Sequence, residues 1–225
     1  MKQLLRKLKR AADPYIGKYL DKFIWRFRHL ILANWEDGYL DEQCLEHPHR
    51  KMIVNSISKR ADTKTILELG TGSGINLVNL SKHFPNISYS GIDINRKAIG
   101  IGKKYLKDNH VSNIELIADD IFNIKRMKSN SIDIILTDAV LMYLDPKDLP
   151  NLLSEMLRIS KLGIILCEQT SLGGVYVDHW RHDYEAIINK FTGVKGLTLQ
   201  KITDEYWDGD WIKFGFLIEV EKELI

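Results

Sequence analysis

Cysteine is scarce in this chain. Its 225 residues hold two, Cys44 and Cys167, far apart in sequence. They give neither a disulfide framework nor a metal-ligand spacing, and both are expected to be small buried or half-buried thiols in a reducing cytoplasm. Apolar runs are short as well: none approaches the roughly 18 residues of a membrane span, so no transmembrane helix is expected. The basic opening from Met1 to Arg10 leads into no uninterrupted apolar stretch and no small-residue cleavage site, so a secretory signal is not expected either. Internal repeats and low-complexity segments are absent. With 44% hydrophobic and 28% charged residues and a net charge of only +2, the chain can bury a sizeable core and shows no bias toward disorder.

Residues 66 to 74, Ile-Leu-Glu-Leu-Gly-Thr-Gly-Ser-Gly, carry the strongest signal. Thr65 to Leu69 is short and bulky enough for a buried parallel strand, and Ile75 to Phe84 has apolar residues at helical spacing. The glycines therefore fall in a strand-to-helix turn, where positive φ and close approach of a ligand to the backbone favour glycine. Ligands of open α/β sheets lie just beyond the carboxyl ends of the strands. A dinucleotide fingerprint requires a third glycine at position 75, which is Ile75 here. The spacing Gly70, Gly72, Gly74, with Thr71 between and Glu68 two residues before, resembles motif I of the class I S-adenosylmethionine-dependent methyltransferases. That resemblance implies S-adenosylmethionine as cofactor. The cofactor has no phosphate for a helix N-terminus to hold, but its ammonium and sulfonium favour nearby carboxylates.

Three later strands extend the resemblance. Ile87 to Ile94 ends in Asp93, an acid about 20 residues past the loop that can accept hydrogen bonds from both ribose hydroxyls, and Ile94 offers a flat apolar surface for adenine. Ile114 to Ala118 runs into Asp119-Asp120; family members place an acid here against the adenine amino group, and either aspartate aligns. Ile132 to Asp138 leads into Ala139 to Leu144, similar to the family's segment flanking the transferred methyl. Plainer readings stand beside these. Asp93 can be a turn residue, Asp119 or Asp120 a helix cap, and Asp138 a solvated loop acid. Glu68, in an apolar strand, is harder to leave without a partner.

Leu149 to Leu157 reads as a helix, Gly163 to Glu168 as a fifth strand, His182 to Phe191 as a helix, and Leu197 to Thr203 and Ile212 to Glu221 as strands. Before the fifth strand the family usually has Pro-Gly-Gly, whereas this chain has Ser160-Lys161-Leu162-Gly163. The resemblance, over residues 60–225, implies a Rossmann-like α/β fold with a seven-stranded sheet of order 3-2-1-4-5-7-6, strand 7 antiparallel. Residues 1–59 form an N-terminal helical extension or cap. Nine Lys or Arg fall within the first 28 residues, and Ile16, Tyr19, Leu20, Phe23, Ile24, Phe27, Leu30 and Ile31 follow an amphipathic helical period. Residues 1–32 then either pack on the domain or lie on an anionic membrane surface, with nucleic-acid binding a third reading.

The acceptor is less legible. No Asp-Pro-Pro-Tyr or Asn-Pro-Pro-Tyr follows the fourth strand, against amide or exocyclic-amine methylation, and no cysteine has a Pro-Cys or Thr-Cys context, against covalent pyrimidine chemistry. What remains is a hydroxyl, carboxyl or amine on a small-molecule or glycan acceptor. RNA or protein methylation through the basic N-terminus, and a non-catalytic partner subunit, are the alternatives; no nucleic-acid partner is expected. Gln169 to Tyr184, with His179 and His182, reads as a lid, with His179 the first choice for a general base. Tyr143 borders the methyl group or packs. His47-Pro48-His49-Arg50 either reaches the pocket or caps the next helix. No structural metal is expected.

Overall fold

The computed structural model describes residues 40, 42–177 and 179–223. The amphipathic helix expected over residues 16–31, and the whole basic segment 1–32, lie outside these. Among the described residues, two helices precede the sheet, α1 (Glu42–Leu45) and α2 (Arg50–Ser58). Then strands and helices alternate: β1 (Thr65–Leu69), α3 (Ile75–His83), β2 (Ser88–Asp93), α4 (Arg96–Asp108), β3 (Ile114–Ala118), β4 (Ile132–Asp138), α5 (Leu149–Ile159) and β5 (Ser160–Gln169). A two-residue ribbon, β6 (Val175–Tyr176) with β7 (Trp180–Arg181), precedes α6 (Tyr184–Ile188), β8 (Val194–Lys201), α7 (Asp210–Phe214) and β9 (Gly215–Lys222).

One seven-stranded sheet runs β3-β2-β1-β4-β5-β9-β8. Its first five strands are parallel, and β9 is antiparallel to both β5 and β8. Counted without the small ribbon, this is the order expected from the sequence. The chain leaves β1 toward β2 on one side and later returns to lay β4 on the other, which opens a crevice at the carboxyl ends of β1 and β4.

Alternation along the strands divides the core. Ile66, Ile134, Leu136, Ile165 and Cys167 face one layer, shared with Leu45, Met52, Ile53 and Ile57 from α1 and α2. Leu67, Leu69, Ile135, Ile164 and Leu166 face the other, covered by α5 and α6 through Leu152, Leu153, Met156, Tyr184 and Ile188. The amino ends of the central strands are pinned by Asp133. Its Oδ2 accepts from the Lys64 and Thr65 backbone N–H groups at 2.8 and 2.9 Å, and its Oδ1 from Lys161 Nζ at 2.9 Å. Asn95 caps α4, its Oδ1 accepting from Lys97 N and Ala98 N.

Two tail boundaries differ from the sequence reading. Residues 160–162, expected to precede the fifth strand, already belong to β5, which follows α5 without a loop. Gly163 absorbs the irregularity there, with φ +146° and a pairing that skips a residue against β4. Residues 210–214, partly expected as strand, form α7, and β9 starts at Gly215.

A Cβ on Gly163 would lie 1.9 Å from the Val220 carbonyl oxygen. Gly163→Ala is expected to lower the unfolding midpoint, since backbone conformations of this kind cost a side-chain-bearing residue about 1–3 kcal/mol before any clash. Thermal denaturation checks this, and an unchanged midpoint contradicts it.

Candidate functional site

The glycine turn follows β1 directly. Gly70, Gly72 and Gly74 all have positive φ (+73°, +56° and +82°), and the Gly70 and Thr71 N–H groups donate to Ile92 O at 2.7 and 3.1 Å, tying the turn to β2. A Cβ on Gly70 would lie 2.3 Å from a Val140 methyl, so glycine lets the segment after β4 close against the turn. Asp93 completes this edge: its Oδ2 accepts from Gly72 N at 2.8 Å and its Oδ1 from Asn95 N at 2.7 Å. Burial pushes its carboxyl upward, against these two hydrogen bonds.

Beside the turn lies a cavity of about 390 Å³. Glu68, Gly70, Thr71, Gly72, Asp93, Ile94, Asp120, Asp138 and Tyr143 all line it, which unites nine sequence-predicted residues from four strand ends. Ile94, Ala98, Ile121 and Phe122 make one part of the wall apolar, next to Asp120, whose Oδ1 accepts from Phe122 N. Gly74 serves instead as the first residue of the helix entry, capping α3 in a left-handed conformation.

The far wall is polar and buried. Asn76, in the first turn of α3, directs Nδ2 to Glu68 Oε1 at 2.7 Å and to Asp138 Oδ2 at 2.9 Å, one N–H for each carboxylate. Glu68 also accepts from Thr71 Oγ1. Desolvation raises Glu68 to about 7, although both hydrogen bonds oppose it. Asp138 behaves oppositely. Burial alone would raise its carboxyl, but the charge and hydrogen bond of His49, with Arg50 and Asn76, hold it well below the usual carboxylate range. His49 Nε2 lies 2.9 Å from Asp138 Oδ2, and His49 Nδ1 lies 2.5 Å from Nδ1 of His47. Trp207 packs on both imidazoles, with ring centroids 4.9 and 4.2 Å away, and stacks on Trp211 at 4.1 Å. His47, His49, Arg50 and Trp207 all line the cavity.

Two expectations are corrected here. No described residue of 169–184 lines the cavity, so these residues do not form the expected lid. His179 is drawn off by Gln169, whose Oε1 lies 2.9 Å from His179 Nε2 and also accepts from Arg181 Nε. Arg181 in turn bonds Asp210 and covers Phe214, which fastens the ribbon to α7. His182 is buried, its ring nitrogen 3.0 Å from Leu141 O, with burial lowering it to about 4. Of the paired aspartates only Asp120 reaches the cavity. Asp119 is turned away, accepting from Asn123 Nδ2 and Asp120 N.

Sequence reasoning missed Asn76 and Trp207, whereas the His47-Pro48-His49-Arg50 cluster reaches the pocket through His47, His49 and Arg50, one of its two expected readings. Asn76 did leave a trace, as the one amide between Ile75 and Leu77 at the start of an apolar helix. Trp207 lies about 140 residues beyond the glycine turn, and no local pattern links the two. Among the described residues, no group of His, Cys, Asp and Glu is arranged to hold a metal ion, and no helix is long and apolar enough to cross a membrane.

Residues 66–163 match the family model of a methyltransferase domain. The chain is similar to the ribosomal protein L11 methyltransferase of Dictyoglomus turgidum, 29% identical over 131 residues covering 52% of this chain and 40% of that protein. It is also similar to a tRNA (guanine-N(7)-)-methyltransferase of Pseudoalteromonas translucida, 21% identical over 164 residues covering 72% and 67%. Among solved structures it superposes on the magnesium protoporphyrin IX methyltransferase of Synechocystis with bound SAH, at a TM-score of 0.65 and 15% identity over 90% of this chain and 100% of that one. At such identity the likeness is one of fold. The chain spans less than half the length of the first curated relatives it matches.

The segment after β4 is held from behind by Glu168, whose Oε1 accepts from Thr137 Oγ1, Val140 N and Leu141 N, each at 3.0 Å. Burial raises Glu168 to about 7 from an ordinary 4.5. The native state therefore holds a proton that the unfolded chain gives up, and this group's contribution to stability is lost as pH rises from about 4.5 to about 7. Glu168→Gln is expected to flatten the stability profile across that window. Urea unfolding at several pH values checks this; a slope identical to the wild type contradicts it.

Proposed function

We propose that the chain is a class I S-adenosylmethionine-dependent methyltransferase, a reading supported by the methyltransferase-domain match over residues 66–163, and that it transfers a methyl group from S-adenosylmethionine to a hydroxyl, carboxyl or amine of a small-molecule or glycan acceptor. The observation that carries this reading is the convergence of the glycine turn, Asp93, Ile94 and Asp120 on one wall of a cavity whose opposite wall is carboxylate-rich. The chemistry of these groups suits the cofactor. Asp93, at the end of β2, is the acceptor for ribose hydroxyls; Ile94, Ile121 and Phe122 form an apolar slot for adenine beside Asp120; Asp138, with the partly ionised Glu68 beside it, supplies negative potential for the ammonium and sulfonium. When bound, the cofactor provides an electrophilic methyl carbon. The chain's own contribution is to orient the two reactants and exclude water, since an in-line displacement depends chiefly on positioning.

Transfer to RNA or protein is the second reading, favoured by what two of the relatives act on and by the basic residues 1–32. The cavity opposes it, because four of its wall residues are carboxylates against one arginine, Arg50, a poor match for a phosphate backbone. A non-catalytic partner subunit is a third reading, disfavoured because the binding positions are filled. Cytoplasmic residence belongs to the same proposal and is supported by Cys44 and Cys167 forming no disulfide.

Isothermal titration with S-adenosylmethionine tests the cofactor assignments. Asp93→Ala is expected to weaken binding by about 1.5–3 kcal/mol through loss of charge-assisted hydrogen bonds. Asp120→Ala is expected to weaken it less, and Asp119→Ala to leave it unchanged; a loss at Asp119 comparable with that at Asp93 contradicts the assignment. Membrane contact by residues 1–32 is a separate proposal, for which co-sedimentation of the full chain with anionic but not with neutral vesicles is the expected result.

A further inference from the structure

The Asp138, His49 and His47 side chains form a continuous line of hydrogen bonds along the cavity wall. The ionised Asp138 can only accept, so the proton in the first contact belongs to Nε2 of His49. Two arrangements fit the contact between the two Nδ1 atoms: a cationic His49 donates to His47, and a neutral His49 accepts the Nδ1 proton of His47. In the second, Nε2 of His47 is left with a lone pair, and no described residue bonds it; this is the reactive state on which the proposal below rests. This fixing of a histidine tautomer by a carboxylate is independent of His179, which Gln169 holds elsewhere.

We propose that His47 is the general base of the methyl transfer, made so by the His47–His49–Asp138 relay, and that the acceptor is an uncharged or cationic molecule reacting through an O–H or N–H. The inference rests on the methyltransferase reading and narrows its acceptor class. The acceptor atom forms its bond to the methyl carbon while the carbon–sulfur bond breaks, its electron pair staying on sulfur. The acceptor's proton passes to Nε2 of His47, the Nδ1 proton of His47 moves to Nδ1 of His49, and the positive charge comes to rest against Asp138. A carboxylate acceptor needs no base, and Glu68, Asp93, Asp120 and Asp138 around the cavity repel it.

The groups facing His47 fit this role. Burial lowers its proton affinity, as do His49 and Arg50, while Asp138 and Asp208 act in the opposite sense, so the ring is neutral at neutral pH. Trp207 packs against the same ring and, itself stacked on Trp211, holds it at the cavity wall.

Nitrogen-15 spectra of the imidazoles in the full chain test the relay without any turnover. At pH 7.5 the expected pattern is N–H on Nε2 of His49 and on Nδ1 of His47, with the shift of an unprotonated nitrogen at Nε2 of His47. On acidification His49 should become the doubly protonated ring while His47 switches to its other tautomer. N–H on Nε2 of His47 at pH 7.5, or a cationic His47 beside a neutral His49, overturns the proposal. With S-adenosylhomocysteine present, 4-methylphenol should move the Nε2 resonance of His47 and benzoate should not; a response to benzoate, or none to the phenol, overturns the acceptor class. His49→Phe, which keeps a ring against Trp207, should abolish the coupled switch at His47, and a switch that persists in this variant overturns the relay. Calorimetry on the wild type separates the two readings. A chain that fails to bind S-adenosylmethionine loses the methyltransferase reading, whereas one that binds it with the wrong His47 tautomer loses only this one.

Discussion

One amide holds the two halves of the site together. Asn76 reaches Glu68 at the end of β1 and Asp138 at the end of β4, and these strands flank the crevice where the sheet reverses direction. Two carboxylates so close and so buried cannot both be ionised cheaply, and the structure resolves the conflict by making them unequal. Glu68 is pushed up to about 7. Asp138 is held ionised by His49 and Arg50. The negative charge is therefore localised on the β4 side, where α2 delivers both histidine and arginine.

That asymmetry gives α2 a purpose beyond packing. Met52, Ile53 and Ile57 bury its apolar face in the core, which fixes His49 and Arg50 at its start over the crevice. On the opposite side of β4, Glu168 gathers the Val140 and Leu141 backbone and so sets the segment that Gly70 allows to approach. Among the described residues the cavity is thus bounded by backbone turns held by buried carboxylates. The segment expected to be a lid is tied down by Gln169, Arg181 and Asp210.

The cofactor half of the site was legible because its physics is local. A glycine spacing, an acid two residues earlier and acids at successive strand ends are patterns within short windows, and the parallel sheet then brings them to one edge. Sheet order followed for the same reason, from alternating apolar runs. The wall proposed to face the acceptor was legible only in part. His47 and His49 stood out as a cluster that could reach the pocket, but Trp207 lies about 160 positions further on, and only three-dimensional packing joins them. The choice between Asp119 and Asp120 depends on which way one backbone step turns after β3, a detail beneath the resolution of any pattern. His179 attracted attention by its chemistry, and the glutamine that captures it lies ten residues away on a neighbouring strand.

The central claim is that this crevice cradles a sulfonium nucleoside, and a crystal structure of the chain soaked with S-adenosylmethionine tests it most directly. The account predicts the ribose on Asp93, the adenine between Ile94 and Phe122 next to Asp120, and the sulfonium end toward Asp138. Density for the nucleoside outside the crevice, or a nicotinamide dinucleotide filling it in preference, would contradict it.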